Sequence, residues 1–395
     1  MEMFEYLIWF FLVLLLLPVM VLLVQVLSAR FLPYQAINVS LNPVSSVILV
    51  PAHDEEAVIA KTLSKLLSIV QDNDQILVVA DNCSDKTAEI ASELGVNVIE
   101  RHDETQKGKG FALDFGFQYL AKQSQKPDVV VIVDADCVVD AVDIVQLKSR
   151  CFELNRPVQA LYLMENSSTE PSLKQKVAEF AWLVKNFVRP LGSLNLGLPC
   201  QLMGTGMAFP WSVINQVNLA SGNIVEDMKL GVDLAFAGYA PVFLPQIKVK
   251  SYFPETSAAE KSQRTRWEHG HLSMILSQAP KAMMKGIIKA NKDLIGLALD
   301  LLVPPLALLM MILMMILGLS LIWALYVSSY GPFYFALFLS VTFTASLLMA
   351  WSDKGRSIIS LQELLLAPFQ LLKKLPLYLK FLVKRQKQWV RTDRD

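Results

Sequence analysis

From Tyr6 to Leu27 the positions are almost all Leu, Val, Phe, Ile or Met, close to the roughly 20 residues a helix needs to cross the hydrocarbon of a bilayer. Glu2 and Glu5 precede this run. An acidic leader and so long an apolar stretch predict a retained anchor rather than a cleaved signal peptide. A second apolar block runs from Leu294 to Val327 and a third from Phe333 to Trp351, parted by Ser328-Ser329-Tyr330-Gly331-Pro332. They predict a transmembrane hairpin. Beyond it stand Lys354 and Arg356, then Lys373, Lys374, Lys380, Lys384, Arg385, Lys387 and Arg391, and positive charge flanking a span marks the cytoplasmic side. Three crossings then put the N-terminus outside and the stretch from Arg30 to about Lys292 in the cytoplasm. The last segment, Ile358 to Val390, mixes Leu, Phe, Tyr and Trp with these cations and is expected to break at Pro368 and Pro376. It reads as an interfacial amphipathic helix facing membrane lipid, or as a helix packed on the soluble part.

Between the anchor and the hairpin the pattern changes. Val47 to Val50 is a short β-branched run, and Glu55 to Ile69 repeats apolar residues at helical spacing. Gln75 to Ala80 is strand-like, Lys86 to Leu94 helical, and Val96 to Glu100 a further strand. Phe111 to Ala121 is helical. Asp128 to Val133 is nearly all Val and Ile, as in a strand buried on both faces. This alternation predicts a doubly wound α/β sheet, in which ligands bind beyond the carboxyl ends of the strands. The loops at 51–56, 81–85 and 134–136 should therefore meet at one crevice.

Of 395 residues, 53% are hydrophobic and the mean hydropathy is +0.41, more than a soluble domain carries. The 36 basic residues balance 36 acidic ones, so no global field attracts nucleic acid. Cys83, Cys137, Cys151 and Cys200 form no CxxC pair, which fits a reducing compartment better than a disulfide framework.

Asp134-Ala135-Asp136 directly follows the buried strand. Two carboxylates so spaced suit a hard divalent cation, Mg2+ or Mn2+, whose remaining ligands a diphosphate supplies; a lone Asp-x-Asp is equally a capped turn. Asp81 follows the second strand, where a carboxylate accepts hydrogen bonds from a base or ribose. Lys107-Gly108-Lys109-Gly110 offers cations on a flexible loop without the GxxxxGK[ST] spacing of a phosphate-cradling loop, and Gly204-Thr205-Gly206-Met207-Ala208 does not complete GxGxxG. Glu226-Asp227 opens the helical stretch Met228 to Phe236, so one acid faces a crevice as a general base or both merely cap the helix. In Gln263-Arg264-Thr265-Arg266-Trp267, Arg266 suits a departing diphosphate and Trp267 offers a flat face for a sugar ring. The same residues also fit an interfacial helix. Glu268-His269-Gly270-His271 does not match the HExxH zinc motif.

Taken in order, Pro51-Ala52-His53-Asp54-Glu55-Glu56, Asp81, Asp134-Ala135-Asp136, Glu226-Asp227 and Gln263-Arg264-Thr265-Arg266-Trp267 resemble glycosyltransferase family 2. The likeness is to its membrane-embedded branch, which includes cellulose, chitin, hyaluronan and poly-N-acetylglucosamine synthases and ceramide glucosyltransferase, and it covers roughly residues 45–275. It implies a GT-A, Rossmann-like nucleotide-diphospho-sugar transferase fold. It further implies that Glu55, Asp81, Lys109, Asp134, Asp136 and Arg266 hold the donor, with Asp134 and Asp136 on the metal. Asp227, with Glu226 beside it, would be the catalytic base. Gly204, Thr205, Gly206, Gln263 and Trp267 would hold the acceptor. The sequence departs from the family in His53-Asp54 and in Asp81-Asn82-Cys83, and its three spans are fewer than the large processive synthases carry.

The expected organisation is an anchor over 1–32, a GT-A domain over 33–256, interfacial helices over 257–293, a transmembrane hairpin over 294–351 and a basic amphipathic tail over 352–395. The expected function is inverting transfer from a UDP-sugar to a saccharide or lipid-linked acceptor at the bacterial inner membrane, in cell-surface or exopolysaccharide assembly alongside export proteins. A glycolipid synthase adding one sugar is the second enzyme reading. A transport or sensor protein that only binds a nucleotide is the third, and it predicts functional charges within the spans, for which Asp300 is the candidate.

Overall fold

The structure is a computed structural model that describes residues 2–34, 44–220, 222–254, 256–371 and 376–378. The first apolar run is a single helix, α1 (Glu2–Phe31). An alternating region follows: β1 (Ser46–Ala52), α2 (Ile59–Leu67), β2 (Asp74–Asp81), α3 (Thr87–Glu93), β3 (Asn97–Arg101), α4 (Lys109–Lys122) and β4 (Val129–Ile132). These four strands pair in parallel in the order β3-β2-β1-β4. Every residue of β4 is fully buried, as its Val-Val-Val-Ile composition predicts.

The second half of the sheet is not a simple continuation of that winding. After β5 (Val138–Val139), α5 (Ala141–Leu154) and β6 (Val158–Glu165), the chain makes α6 (Leu173–Leu183), a π-helical turn (Val184–Val188) and α7 (Arg189–Asn195) before returning as β7 (Met207–Pro210). β7 lies antiparallel between β4 and β6. α8 (Trp211–Ile214) and α9 (Glu226–Phe236) lead to β8 (Val242–Tyr252), which is parallel to β6 and antiparallel to β5. The result is one mixed eight-stranded sheet, β3-β2-β1-β4-β7-β6-β8-β5.

Then come α10 (Ser257–Ser277), α11 (Ala279–Ile288), α12 (Lys292–Leu302), α13 (Leu306–Val327), α14 (Gly331–Ala350), a second π-helical turn (Trp351–Gly355) and α15 (Leu361–Leu371). Three helical segments, Glu2–Phe31, Leu306–Val327 and Gly331–Gly355, are long and apolar enough to cross a membrane. The block expected to run unbroken from Leu294 to Val327 is in fact two helices. Pro304 and Pro305 supply no N–H and bar the helical region to the residue before each, so Val303 turns extended and α13 starts anew. α12 buries Leu294, Leu297 and Leu301 against α9, α10 and α11 instead. α15 likewise continues through Pro368 rather than breaking there, while most of the expected tail helix beyond it lies outside the described residues.

The anchor is tied at both ends. Glu5 accepts hydrogen bonds from Trp323 Nε1 (3.2 Å) and Ser329 Oγ (2.9 Å), so the start of α1 lies beside the α13–α14 turn. At the other end Arg30 Nη1 donates to Ser352 Oγ at 3.1 Å. In between, α1 packs on α7 so closely that a Cβ on Gly192 would sit 1.9 Å from the Gln25 carbonyl oxygen. Only glycine fits that crossing. Beside it, Arg189 donates through Nε to Gln25 Oε1 (3.1 Å) and through Nη2 to Asp300 Oδ1 (2.8 Å), and Gln25 Nε2 donates to Asp300 Oδ1 (2.7 Å) and Ser193 Oγ (3.1 Å). This buried network joins the anchor, α7 and α12. Asp300, the charge considered for a role inside a span, is thus a partner of Arg189 on a helix that is not one of the three long apolar ones.

Candidate active site

The carboxyl ends of the parallel strands carry the acidic loops. In register, Ala52 of β1 faces Ala80 of β2, and Leu49 faces Ile132 of β4, so Asp81 and Asp134 emerge at the same sheet edge on strands either side of β1. Two strand spacings separate them by about 10 Å.

The loops at 51–56 and 81–85 are laced together. Ser84 N donates to Asp54 Oδ1 (2.6 Å), Glu56 N to Asp85 Oδ2 (3.1 Å), Glu55 N to Thr87 Oγ1 (2.7 Å), and His53 Nδ1 lies 2.6 Å from the Asp81 carbonyl oxygen. These bonds occupy the start of the expected helix, which is why α2 begins at Ile59 rather than Glu55. The Asp81 side chain is buried and accepts from Arg101 Nη1 at 2.6 Å and Asn82 Nδ2 at 3.1 Å. Burial raises its proton affinity and Arg101 opposes the rise.

A cavity of about 120 Å³ lies beside Asp134. Its walls hold Lys109, Asp134, Gly204, Glu226, Asp227, Gln263, Arg266 and Trp267. Lys109, in the first turn of α4, pairs with Asp134 and donates to the Gly204 carbonyl oxygen at 2.8 Å. Burial pulls the Lys109 ammonium down, but Asp134, Glu226 and Asp227 outweigh it and hold it protonated. Gly204 has φ +95°, and a Cβ there would meet Asp227 Oδ2 at 3.4 Å and Lys109 Nζ at 3.8 Å. Any side chain would therefore be strained by the backbone, and its Cβ would lie in van der Waals contact with both charges.

Glu226 and Asp227 open α9 and face the same space. Asp227 Oδ1 accepts from Met228 N at 2.8 Å. Burial, reinforced by the Asp227 charge, pushes Glu226 up to about 7, and burial also raises Asp227. Two adjacent acids in a desolvated site share protons unequally, so one can hold a proton while the other accepts one.

Not every expected residue lines this cavity. Glu55 and Asp81 lie along the sheet edge outside it. Thr205 is fully buried, and its Oγ1 accepts from Asp134 N at 3.0 Å, so it braces the Asp134 loop from behind. Gly206 N donates to the Ile132 carbonyl oxygen at 2.9 Å and belongs to the sheet. Asp136 sits beside the cavity, and donor atoms of Asp134, Asp136 and Cys137 all lie within 4.8 Å of one another. Burial drives the Cys137 thiol far up, which makes it a poor ligand and leaves two carboxylates as the oxygen donors. An oxygen-only pair of this kind suits Mg2+ or Mn2+, not a thiophilic metal.

The structure adds wall residues that no motif announces: Tyr162, Trp182, Lys185, Asn186 and Met203. Trp182 packs on Trp267 with ring centroids 4.8 Å apart and meets Tyr162 edge-on at 5.5 Å. The one visible anomaly in the sequence was a lysine inside the apolar run Trp182-Leu183-Val184-Lys185-Asn186-Phe187-Val188.

A parallel half, β3-β2-β1-β4, a mixed half, β7-β6-β8-β5, and a carboxylate-lined cleft at the strand ends make up the GT-A fold of a glycosyltransferase. The family model described as "Glycosyltransferase like family 2" matches residues 43–270, and the chain belongs to that family. It is 25% identical over 238 residues to a probable glycosyltransferase, YdaM, of Bacillus subtilis, a match covering 58% of this chain and 56% of the relative. It is also 25% identical over 240 residues to the poly-beta-1,6-N-acetyl-D-glucosamine synthase of Staphylococcus epidermidis, covering 58% and 55%. The chain spans about half the length of these curated relatives. Among solved structures, the mannosyltransferase PcManGT from Pyrobaculum calidifontis, in complex with GDP-Man and Mn2+, shares the fold with a TM-score of 0.52 at 13% identity, covering 85% of this chain and 95% of that one.

Proposed function

We propose that the protein moves a sugar, with inversion, from a UDP-sugar to an acceptor held near the membrane, in cell-surface or exopolysaccharide synthesis. The observation that carries this reading is the single cavity in which Lys109 and Asp134 meet Glu226, Asp227, Gln263, Arg266 and Trp267. Asp81 and Glu55, at the far end of the sheet edge, would hold the nucleoside, about one nucleotide length from Asp134. Asp134 and Asp136 would hold a divalent cation, which when bound neutralises charge on the diphosphate leaving group.

In the transfer, Lys109 and Arg266 would hold the departing diphosphate, since each brings a cation to the cavity. Asp227 would accept the acceptor proton from the face opposite the diphosphate, which makes the displacement a single inverting step. Trp267, backed by Trp182, would stack on the acceptor sugar. The bonds at Glu5 and Arg30 set the start of α1 beside the hairpin turn and its end beside Ser352. With Lys354 and Arg356 following, this favours a cytoplasmic catalytic domain and an external N-terminus at the bacterial inner membrane. The polysaccharide role draws on the staphylococcal relative's activity, and nucleic acid has no place in it.

The test is UDP release from a panel of UDP-sugars by membranes containing the protein and Mn2+, followed by sizing of the product as lipid or polymer. Turnover with one donor and its loss in Asp227→Asn are expected. No release with any donor would refute the reading.

A further inference from the structure

Exposed apolar side chains are expected on the three long helices, but α11 carries them as well, and with 10 residues it is too short to cross a bilayer. It buries Ala279, Ala282 and Gly286. A Cβ on Gly286 would stand 2.8 Å from Ile295 Cγ1 and 3.1 Å from Leu294 Cβ, so the helix lies tight against α12. Away from that contact, Met284 is 62% exposed, Ile287 65% and Ile288 76%. Three and four residues apart, they share one side of the helix. Lys281 precedes them, Lys289 and Lys292 follow, and all three lysines are exposed. Between Glu268 and Asp293 the chain holds four lysines and no acid.

The place of α11 in the molecule says what meets this side. α12 is tied at Asp300 to Gln25, near the end of α1 at which Arg30 donates to Ser352 just beyond α14. Lys354 and Arg356 follow there. Leu294, where α11 packs, is about 9 Å of helix from Asp300. The exposed side of α11 therefore stands close to where the apolar helices leave the hydrocarbon, at their basic end. An apolar stripe edged by lysines at that level matches the boundary between acyl chains and anionic headgroups. A second copy of the chain is a poorer occupant, since a two-fold contact would set these lysines against themselves.

We propose that α11 is a docking surface for anionic phospholipid, with Met284, Ile287 and Ile288 in the acyl boundary and Lys281, Lys289 and Lys292 on the headgroup phosphates, and that this contact sets α9 and α10 around the cavity. The link to the cavity is direct at two points. α10, which carries Gln263, Arg266 and Trp267, ends at Ser277, and Gln278 alone parts it from α11. Lys285 turns toward α9: it donates to the Phe236 carbonyl oxygen at 3.4 Å, and its ammonium lies 4.5 Å from the Phe236 ring. Phe236 is the last residue of α9, whose first turn holds Glu226 and Asp227. Lipid contact at α11 thus bears on both helices that line the cavity from this side. The docking itself needs the long helices to lie in a bilayer and does not depend on the transfer reading.

The experiment places the full-length protein in nanodiscs of phosphatidylcholine alone, or of phosphatidylcholine and phosphatidylglycerol in equal parts. Each disc carries a trace of phosphatidylcholine or phosphatidylglycerol with a photoreactive diazirine on its acyl chain, and mass spectrometry locates the adducts after irradiation. Adducts on Met284, Ile287 or Ile288 are expected, about fivefold heavier with phosphatidylglycerol. UDP release with the donor found above should be about fivefold faster in the anionic discs, the lower end of ordinary coupling between sites. Lys281→Gln, Lys289→Gln and Lys292→Gln combined should remove both differences while leaving the melting temperature and the rate in phosphatidylcholine unchanged. Adducts that are absent from α11, equal with both lipids, or replaced by crosslinks to a second chain overturn the proposal. So does turnover indifferent to lipid charge, or a stimulation that survives in the triple variant. Failure of the transfer reading would instead silence UDP release in every disc and leave the adduct pattern as expected, so the two are told apart.

Discussion

Arg189 and Asp300 form a 2.8 Å ion pair that both α7 and α12 bury, and Gln25 of the anchor helix bonds to each of them. A charge pair out of water persists only when its remaining donors and acceptors are met, and here the anchor meets them. Removing one member should therefore cost far more than removing both. Arg189→Met is expected to destabilise by about 3–5 kcal/mol, whereas Arg189→Met with Asp300→Leu should recover most of it. Thermal unfolding in detergent checks this. Equal losses in the single and double variants would contradict it.

Lys109 bridges Asp134 and the Gly204 carbonyl from the first turn of α4. Lys109→Met removes a preorganised cation from the leaving-group side, a loss of roughly 100-fold or more in kcat by analogy with single-donor deletions. Arginine should not restore it, because a planar fork does not reproduce a point charge shared between two oxygens at one spot. Steady-state UDP release measures both.

The carboxylates of Asp134 and Asp136 predict a metal requirement. Chelation with EDTA should abolish UDP release, and Mn2+ or Mg2+ should restore it. Asp136→Asn should raise the metal concentration for half-maximal rate roughly tenfold, the scale on which ligand-shell changes alter affinity. An unchanged metal titration would remove Asp136 from that role.

Glu226 gives the fold a pH dependence. Its folded value, about 7, lies above its ordinary value of 4.5, so the folded protein binds more protons than the unfolded chain between those limits. Stability then falls as pH rises through that window. The raised Asp227 acts in the same direction. In metal-free buffer the melting temperature should decline from pH 5 to pH 8, and Glu226→Gln should flatten the decline. A wild-type curve rising across that range would contradict the assignment.

Much of the first half of the fold could be read along the chain. Strands β1, β2 and β4 are short runs of Val, Ile and Leu between helical repeats, and their loops carry the acids, so the sheet edge is legible in the sequence. The second half was not, because β6, β7 and β8 pair by contacts far apart in sequence, and no local period records which strand runs antiparallel. The break between α12 and α13 was written in Pro304-Pro305, yet uniform hydrophobicity hid it. Asp134, Glu226, Asp227, Arg266 and Trp267 could be named from their order. Trp182 and Lys185 could not, since a tryptophan and a lysine three residues apart in an amphipathic stretch look like ordinary helix until a π-helical turn aims one of them inward. Thr205 shows the opposite limit: the family likeness implied an acceptor role for it alongside Gly204 and Gly206, but its side chain is fully buried and holds the Asp134 backbone.

Phe180, Leu183, Val184 and Val188, interleaved in sequence with Trp182 and Lys185, belong to one buried apolar cluster with residues of the three long apolar helices. One wall of the cavity thus shares its apolar backing with those helices. A fragment trimmed to the sheet for convenience in solution would strip that wall of its backing and bare a greasy flank, so the long apolar helices help to build the cavity and are no mere tether.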